Sequence, residues 1–424
     1  MVIQLLKSVK EFLFNLNPDI VIQAPARINL INPLDAVEAD YWMPSVAING
    51  KSNPLSAFFY IKEIENESIL KNYVVQKPDQ INIFDLRYEE PLAKSEIGIR
   101  KKLKTQSKLV YASILRLLRF SSRFKKLFLK SNIEIGNITT IPPQSGLGGS
   151  SSIIISVLYG FAKYFNIFNN FDVLKDNEFP INKDTIAEMA TKIEDEDLEI
   201  SAGYSDRYVI SKGGLCFCSY YGKLYHKNLS LEPLAIYDRI GETYEINEIP
   251  IIICFSGISH ESGDVHGKLR RLYMTNNLKI LNYYKTLAEL SWKSRFAIMN
   301  HDWKLLGKFF KENTKIMNKV MILAGFRYGI GLVNNILIKI IETTPNVYAA
   351  KLTGAGDGGS VFAIVNPDKI DSVFFNLKKR FYEIIKDKVK FSSKFPSYPS
   401  ETIGKLKNVS FFQIKIDQGG VKKL

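Results

Sequence analysis

IEIGNITTIPPQSGLGGSSSIIISVLYGFAKYF, residues 133–165, sets the frame for the whole chain. Its first ten residues read as a β-strand that delivers the chain to a glycine- and serine-rich run, Pro142 to Ser152. From Ser150 onward the sequence reads as a buried helix, despite the β-branched Ile153 to Ile155. Gly146, Gly148 and Gly149 remove side chains where backbone has to approach a ligand closely. Their amides, with the start of the helix behind them, form an anion cradle. Ser150, Ser151 and Ser152 offer caps for the helix and hydroxyls for a phosphate or a metal ion beside it. Pro143, Ser145 and Leu147 complete the candidate phosphate loop. No Gly-Lys-Ser/Thr follows the glycines, so this is not a Walker loop. Alone, the run is equally well read as a serine-glycine turn with a capped helix.

Outward from this loop the chain alternates strands and helices. IVIQAP is read as a strand entering a loop, ARINLINPLDA, and further strand patterns occupy 44–62 and 72–84. Helical spacing covers 104–130 and 183–198, and GGLCFCSYY (213–221) reads as a strand. The pattern weakens over 222–248, which predicts two domains, 1–235 and 236–424. The second begins with IPIIICFSG (249–257) and continues through helical patterns from 264 to 344. NVYAAKL, a glycine turn and SVFAIV form a strand–turn–strand at 346–365; a helix at 367–388 and a strand at 409–417 follow.

The 424 residues, 46% hydrophobic and 24% charged, suit a globular protein of two cores. No apolar run reaches the ~20 residues that span a bilayer. The N-terminal segment MVIQLLKSVKEFLFNLN lacks a signal-peptide cleavage pattern and reads as an amphipathic helix packed on the body. Cys216, Cys218 and Cys254 are an odd set without zinc-ligand spacing, which implies core packing in a reducing, cytoplasmic compartment. His260, His266 and His301 show no metal-ligand spacing either. The formal charge of +14 is dispersed, although Arg116 to Lys130 is densely basic. With no RNA-binding signature beside it, nucleic acid is not the expected partner, and a basic field also attracts anionic small molecules.

Two other segments settle how the loop is read. APARINLINPLD (24–35) follows the first strand, and KLTGAGDGGSVF (351–362) is a second glycine-rich turn. In this order the three segments resemble the motifs of the GHMP kinase superfamily, over about residues 20–420. The resemblance implies an α+β GHMP kinase fold, with a ribosomal-protein-like N-terminal domain and a ferredoxin-like C-terminal domain. It also implies ATP as phosphoryl donor, Mg2+ as cofactor and a small-molecule acceptor in the cleft between the domains. Asp206, in AGYSDR, matches the catalytic Asp, and Arg27 matches the basic residue of the first motif. Glu194, twelve residues before Asp206, matches the magnesium-binding Glu, although Asp195, Glu196 and Asp197 leave its register open. Ser150 is its hydroxyl partner on the metal; Gly149 stands where the superfamily has the first serine of the pair. Gly354 and Gly356 imply backbone approach to the substrates, while Asp357 departs from the usual glycine.

Within the superfamily, IPPQSGLGGSSSI, SAGYSDRYVISKGGL (201–215) and SGDVHGKLRR (262–271) are most similar to glucuronokinase. That resemblance implies phosphorylation of glucuronate at its anomeric hydroxyl. NPLD (32–35) resembles the family's NPSD, so Asp35 is the expected partner of sugar hydroxyls. Arg207, His266, Arg270 and Arg271 are candidate partners for a uronate carboxylate, each equally an ordinary surface charge. FSGISHESGDV (255–265) resembles heptose kinases nearly as well, which makes a heptose-phosphate or other sugar 1-kinase the alternative, with a mevalonate-pathway kinase third. A catalytically silent ATP- and sugar-binding regulator is a further alternative, opposed by the retention of Asp206, Arg27 and Ser150.

Overall fold

A computed structural model describes residues 9, 11–32, 41–51, 54–76, 83–169, 180–220, 236–258, 262–354 and 356–424. Strand β1 (Ile20–Asn29) lies at the centre and changes partner halfway along. Ile20 to Pro25 pair antiparallel with β3 (Ser56–Glu63), and Ala26 to Asn29 pair with β2 (Tyr41–Gly50). The expected loop from Ala26 is therefore strand for four more residues. Polar Arg27 and Asn29 suggested a loop, but both are buried, because charged and hydrogen-bonded partners meet them inside.

Beyond β3 the sheet continues through β6 (Ile133–Thr139), β4 (Ile69–Gln76) and β5 (Ile83–Pro91); β4 runs parallel to β6. On the other side, β2 takes β12 (Ser410–Ile416), then β9 (Ile251–Phe255), β11 (Ser360–Val365) and β10 (Val347–Thr353). β7 (Leu215–Tyr220) also pairs with β2 and carries β8 (Ile236–Asp238). The last strand, β13 (Lys422–Lys423), returns to β1. Among the described residues, thirteen strands thus join the two halves of the chain in one hydrogen-bonded sheet.

A helix outside the stretch expected over 104–130, α1 (Glu96–Lys102), precedes it, and the stretch itself forms two helices, α2 (Lys108–Phe120) and α3 (Ser122–Lys130). Ser121 makes the last break: its extended backbone ends one helix, and its hydroxyl accepts from the Phe124 amide to start the next. Helix α4 (Gly149–Tyr164) packs across β1 and β3, and burial of Ile154 and Ile155 overrides their weak helix propensity. Helix α5 (Lys183–Lys192) and helix α6 (Ser205–Lys212) pack against α4 and against each other. The C-terminal half adds α7 (Ser262–Met274), α8 (Leu278–Met299), α9 (Trp303–Leu323), α10 (Leu332–Glu342) and α11 (Ile370–Lys386). The described part of the N-terminal segment is helical over 11–15, and it buries Val9 and Leu13 with Phe58, Tyr60 and Ile138. Cys216, Cys218 and Cys254 are buried and outside any disulfide, as core packing requires. Among the described residues no helix is long and apolar enough to cross a membrane.

Candidate active site

Strand β6 delivers the chain to the Pro142–Ser152 run, and α4 leaves it. Gly146 and Gly148 have φ of +72° and +79°, a conformation that favours glycine, and a Cβ on Gly146 would lie 2.6 Å from the Thr353 carbonyl oxygen. Gly148 begins α4 without a side-chain cap, so the amides of the first turn keep their anion-binding capacity. Ser145 Oγ is buried with no hydrogen-bond partner, an orphan donor that an anion in the loop would satisfy. The three serines divide their tasks. Ser150 is exposed, and its hydroxyl donates to Glu194 Oε1 at 2.7 Å. Ser151 donates to Glu194 Oε2 at 3.2 Å. Ser152 turns inward, to the carbonyls of Pro25 (2.7 Å) and Gly148 (2.9 Å), and fastens the helix start to β1. Leu147 buries its side chain in the core and gives its carbonyl to the Arg27 amide (3.0 Å), while Pro143 is exposed.

Asp206 sits in the first turn of α6, buried, facing β1. Arg27 donates from one nitrogen to Asp206 Oδ2 and from another to the Gly146 carbonyl, so one guanidinium ties the loop to the carboxylate. Asn29 Nδ2 donates to Asp206 Oδ1 at 2.9 Å. Arg207 Nη1 lies 3.7 Å from Oδ2. Burial works against ionisation of Asp206, but the charges of Arg27 and then Arg207 outweigh it, with hydrogen bonds from Arg27 and Asn29. The net result holds the carboxyl below its ordinary value.

Glu194 is placed by an irregularity. The helix expected over 183–198 is α-helical only to Lys192 and continues as a π-turn over Ile193–Asp197, closed by the Leu198 amide on the Ile193 carbonyl at 3.0 Å. The four consecutive carboxylates then face different partners. Glu194 meets Ser150, Ser151 and Arg207, whose Nε lies 2.9 Å from Oε2. Asp195 pairs with Arg270 of α7 at 3.0 Å, Glu196 with Lys192 at 2.7 Å and Asp197 with Arg116 at 2.8 Å. Part of the basic stretch beginning at Arg116 is thus spent on holding this turn. Among the described residues no group of three or more His, Cys, Asp or Glu could hold a metal by itself. One carboxylate oxygen beside an exposed hydroxyl instead fits Mg2+, which takes one or two protein ligands plus phosphate oxygens and water.

The second glycine turn reaches the same place. Gly354 (φ +88°) would put a Cβ 3.1 Å from the Gly146 Cα, so the two glycine loops meet backbone to backbone. Gly356 has φ +106°, and Asp357 (φ +63°) donates its amide to the Ile330 carbonyl at 2.8 Å. Thr353 Oγ1 lies 3.4 Å from both the Asn29 amide and the Gly146 carbonyl. Of the candidates for a substrate carboxylate, Arg207 is held by Glu194 and Arg270 by Asp195, while Arg271 is exposed. Asp35 and His260 lie outside the described residues. Asn29, Ser45 and Thr353 belong to the site although they were not singled out in the sequence. Asn29 follows Arg27 by two positions, and a strand read through to Asn29 would have put both on one face.

Residues 108–214 match the family model of the GHMP kinases N terminal domain, and residues 296–383 match that of the GHMP kinases C terminal domain. The chain belongs to the GHMP kinase superfamily. Among curated GHMP relatives, a D-glycero-alpha-D-manno-heptose 7-phosphate kinase of Campylobacter jejuni is 27% identical over 270 residues, 61% of this chain and 69% of that protein. A probable glucuronokinase of Arabidopsis thaliana is 25% identical over 245 residues, 56% of this chain, and the match spans 59% of its length. The fold aligns with the Methanococcus jannaschii mevalonate kinase at a TM-score of 0.59 and 19% identity, covering 94% of this chain and 98% of that one.

Proposed function

We propose that this GHMP kinase transfers the γ-phosphoryl group of ATP to the anomeric hydroxyl of a sugar, with glucuronate as the first candidate acceptor. The observation that carries the proposal is the bridge made by Arg27, which bonds the phosphate loop at Gly146 and the buried carboxylate of Asp206 together. In this reading Asp206 receives the acceptor hydroxyl and aligns it with the phosphoryl group. Its depressed pKa makes it a weak base, which suits a loose transfer in which positioning and charge stabilisation do most of the catalysis. An anomeric hydroxyl, more acidic than an ordinary alcohol, needs no stronger base. Arg27 stabilises charge on the transferred group and keeps Asp206 ionised. The amides of Gly146, Gly148 and Gly149, with Ser145 Oγ, cradle the nucleotide phosphates. Ser150 Oγ and Glu194 Oε1 would hold Mg2+, which when bound neutralises phosphate charge. In this reading the chain divides at 235/236, these parts belong to the N-terminal domain, and Gly354 reaches them from the C-terminal one.

The glucuronate reading rests on the AGYSDR and NPLD segments and on the glucuronokinase relative. A heptose phosphate is the second acceptor reading, favoured by the longer match to the heptose 7-phosphate kinase. A panel of glucuronate, heptose 7-phosphate, galactose and mevalonate, followed by ATP consumption, separates them. Turnover with glucuronate is expected. Turnover with another sugar alone would overturn the acceptor and keep the kinase, and nucleotide binding without turnover on any acceptor would favour a regulator.

A further inference from the structure

We infer that Asn29 is a positioning residue for Asp206, held in one amide orientation by a hydrogen-bond chain that runs in a single direction from Ser205 through Ser45. The inference deepens the proposed function, because it takes Asp206 as the residue that meets the acceptor. An ionised carboxylate only accepts hydrogen bonds, so the atom of Asn29 that lies 2.9 Å from Asp206 Oδ1 is its amide nitrogen. The Asn29 carbonyl oxygen then points the other way, where Ser45 Oγ lies at 2.8 Å. Ser45 has one proton and spends it there. The contact of 2.7 Å between Ser45 and Ser205 therefore has Ser205 as donor.

Asn29, Ser45 and Ser205 are all buried, at 2%, 0% and 0% exposure, so water cannot substitute for a lost link. A flipped Asn29 amide would set its carbonyl against the carboxylate and its NH2 against Ser45. That arrangement removes a donor from a buried charge, and burial makes the loss expensive. The two oxygens of Asp206 are thus held by different means. Oδ2 is fixed by the charge of Arg27, and Oδ1 by a neutral donor whose orientation the serines determine. Together they set the plane of the carboxylate. Among the described residues, the charged groups around Asp206 are Arg27 on β1, Arg207 on its own helix and Glu194 beyond Arg207. Asn29 is the neutral member of this shell, and an acid in its place would change the charge most directly.

The test compares Asn29→Asp, Asn29→Ala and Ser45→Ala with the wild type, each checked for folding by thermal unfolding. Asn29→Asp sets a second carboxyl against Asp206, and two such groups share a proton. Its acidic limb of kcat should move up by roughly one pH unit or more. Asn29→Ala should lower kcat about 10- to 100-fold through lost alignment, with KM for ATP unchanged. Ser45→Ala should act in the same direction, less strongly. A carbon NMR titration of the Asp206 carboxyl, which needs no turnover, should show the same upward shift in Asn29→Asp. Folded variants with wild-type kcat, pH profile and Asp206 titration would overturn the inference. A shifted titration in a protein that phosphorylates none of the acceptors would uphold Asn29 and count against the kinase reading instead.

Discussion

Asp206 and Lys351 are both charged residues taken out of water, and the molecule treats them in opposite ways. Around Asp206 lie two guanidinium groups and an amide donor, and its pKa falls despite burial. Lys351, on β10, is fully buried with its ammonium over the rings of Phe362 (5.0 Å) and Phe310 (5.9 Å) and bonded to the carbonyl of Leu352. Burial is the cause that pushes its pKa down, to about 7. The difference separates a charge that is given partners from one that bears the cost of burial. Beside Asp206 the chain supplies countercharges from β1 and α6; at Lys351 burial acts against the charge and lowers the pKa.

That contrast can be broken where it is strongest. Arg207→Met removes the cation that Glu194 and Asp206 share and leaves Glu194 buried with, among the described residues, two serine hydroxyls. Urea unfolding should show a loss of about 3–5 kcal/mol, the cost of stranding one member of a buried ion pair. A loss near zero would mean that the pair is not the countercharge described here.

Lys351 makes the converse prediction. Its folded pKa is below its unfolded one, so between about pH 7 and pH 10.5 the unfolded state binds more protons. Stability from this residue therefore rises with pH across that window, by on the order of 1.4 kcal/mol per unit. Lys351→Met should remove that component of the slope and leave a protein more stable at neutral pH. A pH–stability curve unchanged by the substitution would show that Lys351 does not carry the desolvation assigned to it.

The smallest effect sharpens the division among the serines. Ser152→Ala deletes a hydroxyl bonded only to backbone carbonyls and should cost about 1 kcal/mol of stability. Its Mg2+ dependence should stay as in the wild type. Ser150→Ala, at the exposed position, should leave stability unchanged and raise the Mg2+ needed for half-maximal turnover. Reversed outcomes would exchange their roles.

The Pro142–Ser152 loop and its flanking strand and helix are legible because glycine, serine and periodicity are local signals. Arg27 is recognisable by position, yet the local pattern ends the strand at Pro25, because Arg27 and Asn29 are polar. What holds them in a strand is Asp206, 179 residues away from Arg27, and no local pattern reports that. Which of the four carboxylates at 194–197 faces the loop depends on a π-turn, where one extra residue rotates every side chain after it. Arg207 is one of four candidate substrate cations in the sequence, and its pairing with Glu194 belongs to the fold. The three glycine- or arginine-bearing segments could be ordered in the sequence; their backbone contact at Gly146 and Gly354 belongs to the fold.

The most direct test of the central claim is phosphorus NMR of the product formed from ATP, Mg2+ and glucuronate, run with wild-type protein and with Asp206→Ala. The account predicts a sugar phosphate coupled to the anomeric proton from the wild type, formed about 10³-fold or more slowly by the variant, with ATP affinity largely preserved. A folded Asp206→Ala protein that forms the product at the wild-type rate would contradict it.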